Sequence, residues 1–392
     1  MSGAPAEPTA AGAGGALGDE EASVPEVVLV TGVPGFMAKR MIAKILASDE
    51  EAKVLVLARP KFEQAASAYL GSLGDGRAAR TELLVGDVCD MDLGLAGSEY
   101  RRLCEEVTTI HHLAGIYYQG VDKRTARHVN IDGTRGILEF AHDAGRLRRL
   151  CHYSTAHVSG KRKGVVLEEE LDEDQSFHNI YEETKFEAEV LAGKASKHLP
   201  ITVFRPGMIV GDSKTGEIDK FDGPYYLMVL IATNALNVRV PLPGRGSAPM
   251  HLVPIDYVID AAYALSRDER AAGRTFHLTD PNPLSARRVY ELVAEHSQAK
   301  SPRGFIPTGL ARTVLRTPGL EKLARAPVAF LDSFDGQVFY NCRQAMSLLS
   351  EHGVTCPAFD TYVENLVRYV RSSYEERRHQ APAGEEVADP LD

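Results

Sequence analysis

The 392-residue chain contains no uninterrupted run of eighteen apolar residues, so no transmembrane helix is expected. Positive charge is also in deficit. A net charge of −10 argues against nucleic acid as a partner, because binding phosphates needs a basic surface. The five cysteines, Cys89, Cys104, Cys151, Cys342 and Cys356, are odd in number, scattered, and show no CxxC spacing. That pattern excludes a disulfide framework and a structural zinc site, and it predicts a reducing, cytoplasmic setting. HExxH, Walker and GxSxG motifs are missing, which removes the zinc-protease, phosphate-transfer and serine-hydrolase classes. The first 25 residues lack the basic start and apolar core of a signal peptide, and their Ala, Gly, Pro and acids predict a disordered arm. Residues 376–392 predict an acidic, disordered tail.

What is present describes a globular protein: 44% of residues are apolar and 25% are charged. Short apolar, β-branched runs at 26–30, 53–57, 82–85, 108–112, 150–154 and 201–204 read as buried parallel strands. Segments of helical spacing lie between them, such as MAKRMIAKILA, where Met37, Met41 and Ile45 share a stripe. The alternation predicts an α/β fold, a Rossmann-type doubly wound parallel sheet over 26–211. Residues 212–375 are expected to form a smaller substrate-binding cap, with elements near 251–280 returning to the sheet.

The first strand runs into TGVPGFMA. Gly32 and Gly35 fall where a strand turns sharply into a helix, the place where glycine lets the backbone approach a pyrophosphate; Ala38 takes the third small position. An NAD-preferring site usually has an acid at the end of the second strand. Here VLVLARPKF places Ala58 and Arg59, and a guanidinium there suits the 2′-phosphate of NADP. In GDVCD, Asp87 is placed either to accept from the adenine amino group or to cap a turn.

The stretch NIYEETKFEAE sets Tyr181 four residues before Lys185, on one helical face. A neighbouring ammonium stabilises a phenolate and lowers the tyrosine pKa, so this pair suits proton transfer.

Together TGVPGF, GDV, HHLAG, STAH, YEETK and FRPGMIVG resemble, in order and spacing, the extended short-chain dehydrogenases/reductases. Within them, YSTAHVSG, YEETKFEAE and RPGMIVGDSKTGEIDKFDGPYY look most like the fatty acyl-CoA reductase (male-sterility) and thioester-reductase group. The resemblance implies that Tyr181 exchanges the proton with the substrate oxygen and that Thr155 bonds the same oxygen. It implies that Lys185 lowers the tyrosine pKa and holds the nicotinamide ribose, and that Asn130 relays protons or fixes backbone geometry. Thr155 is expected to end the fifth strand; Ser154 alternates to the other face and is the weaker partner. The cofactor site is expected to draw on Thr31, Gly32, Gly35, Phe36 and Met37 from the first turn. Arg59, Asp87 and Val88 follow the second and third strands, Leu113, Ala114 and Gly115 the fourth, and Pro206 and Gly207 the sixth. NADPH is the expected cofactor, and an acyl-CoA, an acyl carrier thioester or a fatty aldehyde the expected substrate.

His111 and His112 point to opposite faces of a strand and suit packing or cofactor lining better than metal binding. Asp256, after Pro254, is placed to cap a helix. The apolar run 225–236 is either a wall of a greasy pocket or an ordinary buried helix, and 328–331 offers further apolar surface. Segment 310–334 interleaves Arg312, Arg316, Lys322 and Arg325 with leucines, a pattern for a membrane surface, an acidic carrier or a solvated face. Competing functions are a nucleotide-sugar epimerase or dehydratase, a hydroxysteroid-type dehydrogenase, and a non-catalytic dinucleotide sensor.

Overall fold

The computed structural model describes residues 25–116, 121–232, 239, 241–307, 309–310, 334 and 336–380. The N-terminal arm up to residue 24, residues 233–236 of the apolar run, the 311–333 part of the basic segment with its 328–331 stretch, and the tail beyond 380 lie outside them.

Seven parallel strands form the central sheet: β1 (Val27–Thr31), β2 (Lys53–Ala58), β3 (Thr81–Val85), β4 (Thr109–His112), β5 (Arg149–Tyr153), β6 (Ile201–Pro206) and β7 (Thr275–Leu278). Their order is β7-β6-β5-β4-β1-β2-β3, the doubly wound arrangement expected from the sequence, with the crossover between β1 and β4. Both faces of the strands are covered. Val28, Val30, Val54 and Val56 face one core, while Leu29, Leu55 and Leu57 face the other. Each such side chain contributes about 1.5–3 kcal/mol by leaving water.

The helix α1 (Phe36–Ser48) buries Ala38, Met41, Ile42, Ile45 and Leu46, the stripe of a helix lying on a sheet. Behind the other face lie α2 (Gly133–Asp143) and α3 (Ile180–Ala195). The 208–210 strand pairs in parallel with 252–254, which leads into α4 (Ile255–Arg267), and α4 packs beside α1. A third core gathers the helices 225–232, 286–296 and 363–380. The apolar run therefore contributes chiefly to this core: Tyr225, Met228, Val229, Ile231 and Ala232 are buried, whereas Leu230 is exposed. The last helix continues to Gln380, past the point where the tail was expected to begin.

The fifth strand ends at Tyr153, so Ser154 and Thr155 lie in the turn beyond it rather than within the strand. Asp256 does not cap its own helix. Its two oxygens accept from the Ser213 amide at 2.9 Å and the Ser213 hydroxyl at 2.6 Å, tying the loop after residue 211 to α4. Among the described residues no helix is long and apolar enough to cross a membrane.

Candidate active site

All seven strands run the same way, so the turns that follow them meet along one edge of the sheet. Gly32 begins the first of these turns with φ of +94°, a conformation that costs glycine little. A Cβ on Gly32 would sit 2.7 Å from the Leu113 carbonyl carbon and 2.8 Å from the Ala114 nitrogen, so this loop and the β4 loop need a bare backbone. Gly35 donates its N–H to Gly32 O at 2.9 Å and starts α1 with no side-chain cap and no acid in the first turn. Such a helix start presents N–H groups and positive dipole to an anion. These residues fit the pyrophosphate of a dinucleotide. Phe36 lies under the Arg40 guanidinium, 5.0 Å from its ring centre, and Arg40 also pairs with Asp212 and Glu217.

Thr31 is fully buried, and its hydroxyl oxygen accepts from Ala114 N at 3.1 Å and meets His112 Nδ1 at 3.0 Å. Thr134 donates to Asn130 O at 2.7 Å and so accepts from His112 Nε2 at 3.4 Å. His112 thus carries its proton on Nε2 and takes the Thr31 hydroxyl on Nδ1. Burial, reinforced by the Lys185 charge, pushes its pKa down to about 3 and keeps the ring neutral. Thr31 and His112 brace the glycine turn against the β4 loop. His111 faces the other way, with Nδ1 2.9 Å from the Tyr153 hydroxyl.

Arg59 follows β2 and stacks at 5.1 Å on Phe62, with Lys61 on the same ring at 4.8 Å. Two cations share one surface at the strand end where an NAD site would hold an acid. Asp87 Oδ1 accepts from Cys89 N at 3.0 Å, the turn-capping alternative. Val88 is buried against Gly133, where a Cβ would meet its Cγ2 at 2.9 Å. Gly115 leads out of the β4 loop toward Asn130.

Asn130 sits in a π-helical turn, His128–Asp132, that leads directly into α2. Its Oδ1 accepts from Ile116 N at 2.8 Å, and its Nδ2 donates to Ile116 O at 3.1 Å and to Thr184 Oγ1 at 2.9 Å. All of these partners are protein groups, so Asn130 clamps the β4 loop to α3. At the far side, Pro206 closes β6 and pairs with Leu278. Gly207 comes so close to the next chain segment that a Cβ would lie 2.4 Å from His251 O.

The helix α3 starts at Asn179, whose side chain accepts from Glu182 N at 2.9 Å, with Glu182 and Glu183 in its first turn. Its buried face holds Glu182, Thr184, Lys185 and Glu189 as well as alanines. Charges there need partners. Lys185, 7% exposed, donates from Nζ to the Tyr153 carbonyl at 2.6 Å. Burial lowers its pKa to about 8, against the opposing pull of Glu189. Tyr181 is partly exposed; desolvation of its hydroxyl pushes its pKa up to about 12, and the neighbouring Thr155 side chain pulls the other way. Thr155 Oγ1 accepts from His157 N at 3.3 Å, which leaves its hydroxyl proton able to donate.

The expected lowering of the tyrosine pKa by Lys185 is corrected here. The ammonium is engaged by a backbone carbonyl, and the charges that act on Tyr181, Glu182 and Asp222, both raise its pKa. Ser154 is engaged elsewhere, its hydroxyl donating to Glu189 Oε2. The sequence reading missed Glu189 and Arg205, although a signal existed. Glu189 lies one helical turn beyond Lys185, and Arg205 interrupts the apolar strand ITVFRP, where only a paired charge is tolerated.

The NAD-binding family described as male sterility protein matches residues 30–262. The chain belongs to this family. It is 27% identical over 281 residues to fatty acyl-CoA reductase wat of Drosophila melanogaster, covering 62% of this chain and 54% of that protein. The chain thus spans about half the length of that relative, and about a quarter or less of other curated relatives. Its fold matches the terminal R domain from the myxalamid PKS-NRPS biosynthetic pathway, with a TM-score of 0.76, 26% identity, and coverage of 93% of this chain and 94% of that one. UDP-glucuronic acid 4-epimerase from Bacillus cereus, in complex with NAD, shares the fold at a TM-score of 0.64 and 18% identity, covering 89% of this chain and 99% of that one. The chain thus has the extended short-chain dehydrogenase/reductase fold of an NAD-binding family.

Proposed function

We propose that this reductase uses NADPH to reduce the carbonyl group of a fatty acyl thioester or a fatty aldehyde. The observation that carries the reading is the meeting of Thr155, Tyr181 and Lys185 at the end of β5, with Lys185 buried and bonded to the Tyr153 carbonyl. NADPH, when bound there, would supply the hydride for the carbonyl carbon. The Thr155 and Tyr181 hydroxyls hold the carbonyl oxygen, and Tyr181 gives it a proton as negative charge gathers there; an aldehyde becomes the alcohol directly, whereas a thioester becomes a thiohemiacetal whose C–S bond then breaks, releasing the thiol and leaving the aldehyde. A phenol raised to about 12 stays protonated at neutral pH, which supports reduction; oxidation of an alcohol would need the phenolate. Lys185 contributes positive charge beside the reacting groups.

Gly32, Gly35 and the first turn of α1, with Phe36 and Met37, would hold the pyrophosphate. Arg59, with Lys61 on the same ring, favours the 2′-phosphate of NADPH. The acyl part of the reading draws on kinship with a fatty acyl-CoA reductase, since the apolar residues 225–232 are spent mainly on the cap core. Carrier-bound thioesters fit the same chemistry.

The test is to offer purified protein NADPH with acyl-CoA and aldehyde series from short to long chains, and a nucleotide-sugar panel in parallel. Aldehyde or alcohol products formed with NADPH consumption support the reading. Isomerisation of sugars without net oxidation, or cofactor binding without turnover, would replace it with an epimerase or a sensor.

A further inference from the structure

Glu189 and Arg205 form an ion pair shut away from water, with 2% and 1% exposure. Glu189 Oε1 accepts from Arg205 Nη2 at 2.6 Å and Nε at 2.8 Å, and Oε2 accepts the Ser154 hydroxyl. Stripping both charges of water is costly, and apolar residues of similar size would fill the space without that cost. The location of the pair supplies its purpose. Ser154 is the residue before Thr155, and Lys185 is one helical turn before Glu189.

We propose that Glu189 and Arg205 are positioning residues for the carbonyl-reducing site, holding Thr155 through Ser154 and keeping the Lys185 side chain charged. The proposal rests on the reductase reading of Thr155, Tyr181 and Lys185. Three elements present titratable groups to Lys185: Tyr181 and Glu189 from α3, His112 from β4 and His152 from β5. Both histidines are buried with depressed pKa values and are neutral at pH 7, so Glu189 is the anion that offsets the burial of the ammonium.

Arg205 extends the network outward. Its Nη1 donates to Glu168 O at 3.3 Å and to His277 Nε2 at 3.2 Å, which places the His277 proton on Nδ1, donating to Asn341 O at 2.7 Å. The Glu168 carboxylate accepts from the backbone N–H of His277, Gln344 and Ala345. The turn carrying Thr155 is thereby tied through β6 and β7 to the start of helix 343–351.

The experiment compares Glu189→Gln, which keeps shape and removes charge, with the native protein labelled with 13C at lysine Cε, the Lys185 signal being the one lost in Lys185→Arg. NMR titration of the free protein should show the Lys185 midpoint about one pH unit lower in Glu189→Gln. With substrate, kcat should fall about fivefold at pH 8 and recover toward pH 6.5, while KM and NADPH affinity change by less than about threefold. Ser154→Ala should lower kcat without moving the Lys185 midpoint. If Glu189→Gln does not fold, the Glu189→Gln/Arg205→Met pair carries the expectation of a lower kcat, with a smaller movement of the Lys185 midpoint because the cation leaves with the anion. An unmoved midpoint, or native kcat in Ser154→Ala, overturns the proposal. If the native protein reduces no carbonyl compound, the reductase reading fails, and the NMR midpoints still decide the coupling of Glu189 to Lys185.

Discussion

Lys185 Nζ donates to the Tyr153 carbonyl oxygen at 2.6 Å, which fixes α3 to the end of β5 and sets Tyr181 beside Thr155. The tyrosine is therefore placed by an anchor one turn along its own helix, and its proton is held tightly by desolvation. Tyr181→Phe removes the proposed proton donor and keeps the ring. Turnover should fall by about a hundredfold or more, with thermal stability and cofactor affinity close to native. Near-native turnover in the Phe variant would take Tyr181 out of the mechanism.

Arg59 tests cofactor choice. Arg59→Ala should weaken NADPH much more than NADH, because only NADPH carries the phosphate that the guanidinium can pair with. Titration of both cofactors measures this, and equal losses would mean that the cations on Phe62 serve the surface only.

Gly32→Ala would put a methyl group into the Leu113–Ala114 backbone at a positive φ. Strain of this kind costs about 1–3 kcal/mol, and the turn can relieve it only by moving away from β4. The variant should melt at lower temperature and lose cofactor affinity even where it folds. Native affinity would show that this close approach is not part of the dinucleotide site.

Five buried histidines predict acid sensitivity. His111, His112 and His277 have pKa values pushed down to about 3 by burial, His251 to about 4, and His152 lies well below its usual value for the same reason. Depressed histidines bind fewer protons folded than unfolded. Their contribution is complete above the unfolded value of about 6.5 and is lost as pH falls toward the folded values, at roughly 1 kcal/mol per pH unit for each. Denaturant melts at pH 7, 6 and 5 should show a steep decline below pH 6.5; a flat profile would contradict it.

The sheet was legible because strands buried on both faces read as continuous apolar runs, and six of the seven were located to within one or two residues. The seventh, TFHL, escaped because it is short and carries a buried histidine whose ring is held by Arg205 and Asn341. The shared face of Tyr181 and Lys185 follows from helical spacing, but the partner of the ammonium does not. A backbone carbonyl leaves no mark in sequence. The same holds for Asp256, whose partner Ser213 is set by how a loop folds back on α4. Asn130 was placed correctly in the helix after the β4 loop, yet its saturation by Ile116 and Thr184 depends on a π-helical turn that no periodicity announces.

The central claim, hydride delivery to a carbonyl carbon held by Thr155 and Tyr181, is tested most directly with an isotope. The protein is incubated with NADPH deuterated at the reactive C4 position and a long-chain acyl-CoA or aldehyde, and the product is examined by mass spectrometry. The account predicts deuterium at C1 of the aldehyde or alcohol formed, and almost none with Tyr181→Phe in the same time. Product lacking deuterium at C1, or no reduced product from either series while NADPH remains bound and intact, would contradict it.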